Sequence, residues 1–388
     1  MPKPRRITFL TGARADYDLM APVMRACTRQ KGLRPEVVAV AGQLSPFHGR
    51  GIEEIRKDSV PVVGVVETLL ASESWSARSL SFANVVEGLT RLLSSRGTHI
   101  VFVAGDREEA LAGALVGNFM GCVVAHLHGG DRCAATDLDE TFRPAISKLA
   151  HLHFTATRDH RQRLIRMGEL PQRVWVTGAP GLDTLLTEPD ISNAELSREF
   201  GFDVSKPFFL VIQHPSPLID DGEPEAEMEK VLKGVLSLGY PVICGYPNFD
   251  PGNIGIRKAI EKMQGRDSKL AVFSYLPRRT FVALYRRCSA IVGNTSSIVL
   301  ESGFLKVPGI LVGPRQDLRD RGQNVLRVDI DPAQIKKACL RALEDKAFLR
   351  RVKNTPQWCG DGHAGSRIAK ILASVKLTDD LRNKVMPY

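Results

Sequence analysis

Two doubly wound α/β halves facing a cleft are what this 388-residue sequence predicts. Three observations carry the prediction. Short β-branched runs alternate with longer stretches of helical period, the signature of parallel strands joined by crossover helices. That alternation restarts near Lys206-Pro207. The chain is also long enough for two domains of ordinary size, each with its own core.

In the first half, β-branched runs bounded by turn residues predict strands at 7–11, 36–41, 60–66, 99–104, 122–126, 153–156 and 174–177. Helices are expected between them at 18–29, 82–93 and 107–120. A further helix is expected at 139–150, where Phe142, Ile146 and Leu149 fall at helical spacing. Asp139 and Glu140 open it, as the positive end of a helix favours. In the second half, strands are expected at 208–213, 241–245, 270–274, 290–292 and 309–311. The helices there are 225–238, 254–263, 277–287, 297–305 and 332–344. The junction falls within 178–205, giving a first domain of residues 1–185 and a second of 186–365. No fixed-period repeat or low-complexity segment is present.

Composition excludes several classes. With 43% hydrophobic and 25% charged residues, the chain reads as an ordinary soluble globular protein. No apolar run approaches the ~18 residues that span a membrane. The basic start enters the run Ile7-Thr-Phe-Leu-Thr11, too short for a signal sequence, so it reads as a first strand. The seven cysteines are scattered and never spaced Cys-x-x-Cys, which argues against a disulfide framework or zinc site and for a cytoplasmic location. A net charge of +10 invites a nucleic-acid partner. However, the basic residues are dispersed and only 6% of residues are aromatic, so no recognition run exists. A cationic cleft for a phosphorylated small molecule explains the charge as well.

The chemistry concentrates in His126-Leu-His-Gly-Gly-Asp131 and the acids that follow it. A buried strand ending in Gly-Gly delivers its next side chains to a sheet edge, where open α/β folds build sites. Carboxylates held there are poised for proton transfer, because burial and like charges raise their pKa values. Asp106, in Ala-Gly-Asp-Arg after the 99–104 strand, occupies the same kind of edge; the bland reading is a solvated turn acid. In Thr11-Gly-Ala-Arg14-Ala-Asp16-Tyr, a glycine and a helix start suit a phosphate, with Arg14 supplying a charged fork; a surface arginine in a loop is the other reading. The loop lacks the Gly-x-Gly-x-x-Gly dinucleotide fingerprint. Gly293-Asn294-Thr295-Ser296-Ser297 is a hydroxyl-rich helix start suited to a diphosphate, or to simple capping. Glu301, farther along that helix, is a candidate acceptor for two ribose hydroxyls. His214, before a proline at a strand end, is a candidate acid or phosphate donor, or a structural histidine. His151 and His153 read as structural.

Taken in this order, the motifs resemble the UDP-N-acetylglucosamine 2-epimerases, especially the hydrolysing branch that makes N-acetylmannosamine for sialic-acid-type sugars. The matching pieces are Thr-Gly-Ala-Arg14-Ala-Asp16-Tyr, Gly42-Gln-Leu-Ser-Pro46, Gly105-Asp106-Arg-Glu-Glu, His126-Leu-His-Gly-Gly-Asp131, Asp139-Glu140-x-x-Arg143, and Asn294-Thr-Ser-Ser with Glu301. The resemblance implies two Rossmann-like domains of glycosyltransferase-B type, with UDP held mainly by the second. It also implies that residues 366–388 form a helix returning to the first domain. The implied chemistry is elimination of UDP across C1–C2 to a 2-acetamidoglucal, then hydration with inversion at C2. Asp106, Asp131, Asp139, Glu140 and His214 would be catalytic. Arg14, Asp16, Arg143, Asn294, Thr295, Ser296, Ser297, Glu301 and Arg315 would bind substrate. Neither a cofactor nor a metal is implied, and a homodimer or homotetramer is expected.

Two residues depart from the pattern of the hydrolysing branch. Asp131 stands where glutamate is common, withdrawing the carboxylate by one methylene, about 1.5 Å. Pro144 replaces a histidine after Arg143, in a place where early-helix proline is tolerated. Both changes bear on the sugar, and a 2,4-diacetamido-6-deoxy sugar is one candidate. A glycosyltransferase of the same fold and a non-catalytic nucleotide-sugar binder are the alternatives.

Overall fold

A computed structural model describes residues 4–46, 51–70, 72, 74–134, 138–216 and 223–385. The chain forms two compact units, one of residues 1–132, 138–186 and 359–388, the other of residues 133–137 and 187–358. The return to the first unit thus starts at Cys359, ahead of residue 366. Residues 386–388, the end of that expected segment, lie outside the described residues.

The first unit begins with β1 (Arg5–Thr11), α1 (Arg14–Arg29), β2 (Leu33–Val40), α2 (Ile52–Lys57), β3 (Val62–Val66) and α3 (Trp75–Leu93). It continues with β4 (Ile100–Ala104), α4 (Glu108–Phe119), β5 (Val123–Leu127), α5 (Asp139–Leu149) and β6 (Leu152–Thr155). Then come α6 (Arg158–Arg166), β7 (Val174–Val176) and α7 (Gly181–Thr187). Its strands form one parallel sheet in the order β3-β2-β1-β4-β5-β6-β7. The central strands are fully buried apolar runs, such as Ile-Val-Phe-Val-Ala in β4, as expected of strands covered on both faces. Phe9, Phe102 and Phe154 stack across three of them, with centroids 4.7 and 5.9 Å apart.

The second unit holds α8 (Asn193–Phe200), β8 (Phe209–Ile212), α9 (Pro224–Leu236), β9 (Val242–Gly245), α10 (Asn253–Gln264) and β10 (Leu270–Phe273). It continues through α11 (Arg278–Tyr285), β11 (Ala290–Gly293), α12 (Ser296–Leu300), α13 (Ser302–Leu305) and β12 (Gly309–Val312). It closes with β13 (Val325–Val328), α14 (Pro332–Glu344) and α15 (Lys346–Asn354). Its parallel sheet has the order β10-β9-β8-β11-β12-β13. The chain then enters α16 (Ala364–Ser374), which packs on α1 in the first unit, and α17 (Asp379–Arg382).

The α/β class with two parallel sheets is as predicted. Strand β13 was not expected; its four residues sit at a sheet edge and none is fully buried, so it lacks the apolar signal. The helix expected over 297–305 is broken at Glu301 into α12 and α13. Pro144 is the sixth residue of α5, beyond the first turn where proline is harmless. An interior proline costs a helix about 3 kcal/mol, so α5 depends on contacts outside itself. All seven cysteines are buried thiols. Among the described residues, no helix is long and apolar enough to cross a membrane.

Candidate active site

In the first sheet the strand order reverses between β1 and β4, and open α/β sheets place ligands beyond the carboxyl ends at such a break. Strand β5, beside β4, runs out into His128-Gly129-Gly130-Asp131. His128 and Gly130 take the left-handed conformation, at φ 66° and 76°. A Cβ on Gly130 would lie 2.2 Å from the carbonyl oxygen of His160, so only glycine lets this turn press on the first residues of α6. The turn delivers Asp131, which is buried, with Oδ1 accepting the Arg132 N–H at 2.8 Å and lying 3.5 Å from His160 Nε2.

Asp106 comes from the neighbouring strand end. The Gly105 N–H donates to Leu127 O at 3.0 Å, tying the end of β4 to that of β5. Asp106 then pairs with Nη2 of Arg143, whose Nη1 donates to His128 O at 3.3 Å. Arg143, an expected substrate contact, is 2% exposed. Its buried charge is matched by Asp106, and it fixes that carboxylate in direction. An oxygen of Asp139, at the start of α5, lies within 4.8 Å of one on Asp106. Glu140, next in the same turn, is partly exposed.

His126 braces this corner from below. Its Nε2 is 2.8 Å from Gly105 O and its Nδ1 3.0 Å from Ser147 Oγ on α5. A carbonyl only accepts, so Nε2 carries the hydrogen and Nδ1 accepts from the serine hydroxyl. Burial drives the imidazole down to about 3, so it is neutral at ordinary pH.

The loop between β1 and α1 is built around Asp16. The Asp16 carboxylate accepts from the Thr11 hydroxyl, from Gly12 N–H at 2.9 Å and from Ala13 N–H at 3.1 Å. Burial pushes this acid up to about 6 against the pull of those bonds. Gly12 and Ala13 thus give their N–H groups to Asp16, which organises the loop. Gln43 adds bonds from Nε2 to Thr11 Oγ1 at 2.8 Å and Ala13 O at 2.6 Å. Glu109 packs beneath, where a Cβ on Gly12 would come 2.5 Å from its Cγ. Burial, reinforced by Glu108 and opposed by Arg107, pushes Glu109 up to about 7. Arg14 begins α1 and lies 3.4 Å from Asp18.

In the second unit the order reverses between β8 and β11, which present His214 and Asn294. Asn294 is buried; its Oδ1 accepts His214 N–H at 2.7 Å and its Nδ2 donates to His214 O at 2.8 Å. It latches the two strand ends together. His214 Nδ1 accepts the Asn248 N–H at 3.1 Å, which leaves the neutral ring's hydrogen on Nε2. Thr295 caps α12, while Ser296 and Ser297 at its start are partly exposed. Glu301 Oε1 accepts from Arg278 Nη2 at 2.7 Å, so the expected ribose acceptor carries a protein partner. Arg315 Nη2 lies 3.9 Å from the buried Asp250 carboxylate.

Comparison with known proteins gives these strand-end sites a context. Residues 25–373 match the family model described as UDP-N-acetylglucosamine 2-epimerase. The chain belongs to this family. It is 30% identical over 384 residues, 99% of its length and all of the relative's, to the hydrolysing UDP-N,N'-diacetylbacillosamine 2-epimerase of Legionella pneumophila. It is 27% identical over 85% of each chain to a UDP-N-acetylglucosamine 2-epimerase of Neisseria meningitidis. The fold matches a crystal structure of a Neisseria meningitidis UDP-GlcNAc 2-epimerase bound to UDP-GlcNAc, with a TM-score of 0.80 at 18% identity over 95% of this chain and 99% of that one.

Within this epimerase-family chain, the first unit gathers carboxylates from two strand ends and a helix start. Such an array can remove a proton from carbon and return one to it. Sequence reasoning gave no role to Ser147, Glu109 or Arg278, which the fold sets against His126, Gly12 and Glu301. The run Arg107-Glu108-Glu109 directly after a strand was a usable signal for Glu109. For Arg278 no local pattern existed, because its partner lies 23 residues away.

Proposed function

We propose that this chain is a hydrolysing UDP-sugar 2-epimerase whose substrate is a UDP-2,4-diacetamido-2,4,6-trideoxyhexose of the N,N'-diacetylbacillosamine class. The observation that carries the reaction is the Asp106–Arg143 pair with Asp139 beside it, at the edge that also presents Asp131. The 30% identity with the Legionella pneumophila enzyme over essentially both full lengths supports the sugar class. Asp131 and Pro144, the two departures in the carboxylate region, support a sugar other than N-acetylglucosamine.

In the first step a carboxylate takes the C2 proton while the C1–O bond to UDP breaks, leaving a C1=C2 double bond. His214 Nε2–H stabilises the departing diphosphate, aided by the hydroxyl-bearing start of α12. In the second step a water oxygen bonds to C1 and a proton is delivered to C2 from the opposite face. The products are UDP and the free 2,4-diacetamido sugar of manno configuration. Asp106, Asp131 and Asp139, with Glu140 beside them, divide these proton transfers. Holding Asp106 against Arg143 keeps its carboxylate oriented without solvent reorganisation.

The test is incubation in heavy water with UDP-N,N'-diacetylbacillosamine and, in parallel, UDP-N-acetylglucosamine, followed by NMR. The expected result is UDP plus a free sugar with deuterium at C2, faster from the diacetamido substrate. Reversible epimerisation without UDP release would remove the hydrolytic step. Faster turnover of UDP-N-acetylglucosamine would remove the proposed sugar.

A further inference from the structure

Helix α5 carries Asp139 and Glu140 at its start and Arg143 one turn later, yet it has only eleven residues and an interior proline. Such a helix does not hold its own geometry. Helix α4 packs along it and Asn118 Nδ2 donates to Leu149 O at 2.9 Å, and a second support comes from the far end of the chain. Lys384 is nearly buried, and its Nζ donates to Ser147 O at 3.2 Å, Lys148 O at 2.8 Å and Ala150 O at 2.8 Å. These are carbonyls of the last helical turn and its cap, where the i+4 donors of the helix run out; Ser147 O also takes the Ala150 N–H at 3.3 Å. An ammonium suits them both as a triple donor and as a positive charge at the negative helix end.

The ammonium is anchored in turn. It lies 2.7 Å from Glu169 Oε2, and Glu169 also meets His153 Nε2 at 3.0 Å and Lys148 Nζ at 3.2 Å. Burial pushes Glu169 up, but His153 and Lys384 outweigh it and hold the acid at about 2, so it stays ionised. The backbone beside Lys384 is pinned as well. His151 accepts Val124 N–H on Nδ1 at 2.9 Å and donates from Nε2 to Arg382 O at 3.1 Å. Arg173 donates to Leu381 O at 3.1 Å and Asp380 O at 2.6 Å. From the clamped turn, Ser147 Oγ continues to His126 and so to Gly105 O, the residue before Asp106. The C-terminal tail is thus linked to both ends of the carboxylate array, through the body of α5 and through the Ser147–His126 pair.

We propose that Lys384 is a positioning residue for the epimerase reaction, clamping the C-terminal end of α5 so that Asp139 and the Arg143–Asp106 pair keep their register. The role in catalysis rests on the epimerase reading; the clamp itself rests on the contacts alone. Three proteins test it in full-length form: wild type, Lys384→Met, and Arg173→Met, which loosens the tail without touching the α5 carbonyls. Two readouts are taken, amide hydrogen exchange of residues 143–151 and steady-state kinetics with UDP affinity. Lys384→Met should exchange faster over 143–151 and lose about tenfold or more in kcat, while KM and UDP affinity change less than about threefold. Arg173→Met should move both readouts in the same direction and less far. Unchanged exchange over 143–151 in both variants would overturn the clamp. Faster exchange with unaltered kcat would overturn its positioning role. Absence of epimerase turnover in the wild type would count against the function reading only, because exchange still reports the clamp.

Discussion

Lowering the pH from 7 to 5 places a defined load on His126. In the folded chain this imidazole is neutral, boxed between Gly105 O and Ser147 Oγ, with its pKa driven by burial to about 3. In the unfolded chain it titrates near 6.5. The folded value is the lower one, so as pH falls below 6.5 the unfolded state gains a proton the folded state refuses. The stability contributed by the neutral ring is therefore complete above about pH 6.5 and is lost progressively toward pH 3. From 6.5 to 5 is one and a half pH units, and at 1.36 kcal/mol each this costs about 2 kcal/mol. His126→Gln keeps a donor for Gly105 O and removes the titration. Urea unfolding of both proteins at pH 7 and pH 5 isolates the effect, since every other ionisable group is shared. Wild type should lose about 2 kcal/mol more than the variant between the two pH values. Equal losses would refute the reasoning and mean that the buried ring accepts a proton without penalty.

Asp106→Asn should reduce turnover by about two to four orders of magnitude with UDP affinity nearly unaltered, since its proposed work is proton transfer. Titration calorimetry with UDP beside a turnover assay checks it, and wild-type-like turnover would remove Asp106 from the mechanism. Asp131→Glu extends a buried side chain 3.5 Å from His160, where overpacking costs about 1–3 kcal/mol. It should lower kcat/KM on the diacetamido substrate and shift preference toward UDP-N-acetylglucosamine; an unchanged ratio between the two sugars would sink the specificity argument.

The parallel core of each half was legible because buried strands such as Val123–Leu127 are uninterrupted apolar runs ending in glycine or polar residues. Helix α6 was not, because Arg-Asp-His-Arg-Gln-Arg-Leu-Ile-Arg buries only His160 and Leu164. The strand-end positions of Asp106, Asp131, His214 and Asn294 followed from the same runs. Their partners did not. Arg143 reads as a ligand-facing cation until the fold sets it against an aspartate 37 residues away. Asn294 reads as a substrate-binding residue, and the sequence does not show that its amide meets the backbone of His214, 80 residues distant. The hydrogen bonds of Asp16, by contrast, reach only three to five residues back, into its own loop. Spacing reveals which residues reach an edge, whereas long-range pairing decides which of them remain available there.

The packing of α16 on α1 sets an order of events during synthesis. Ile368, Ala369 and Leu372 belong to the same buried cluster as Ile7, Met20, Met24 and Phe102, and Gly365 stands where a Cβ would come 2.7 Å from Pro22 O. The first unit thus lacks part of its core until residues 364–374 emerge. The second unit, built almost wholly from 187–358, has all its strands in hand earlier. Domains fold as units while a chain is made, so the half holding the carboxylates is the later one to close, with an apolar face of α1 open in the interval. A chain cut before residue 359 would keep every strand of the second unit while leaving the first without α16.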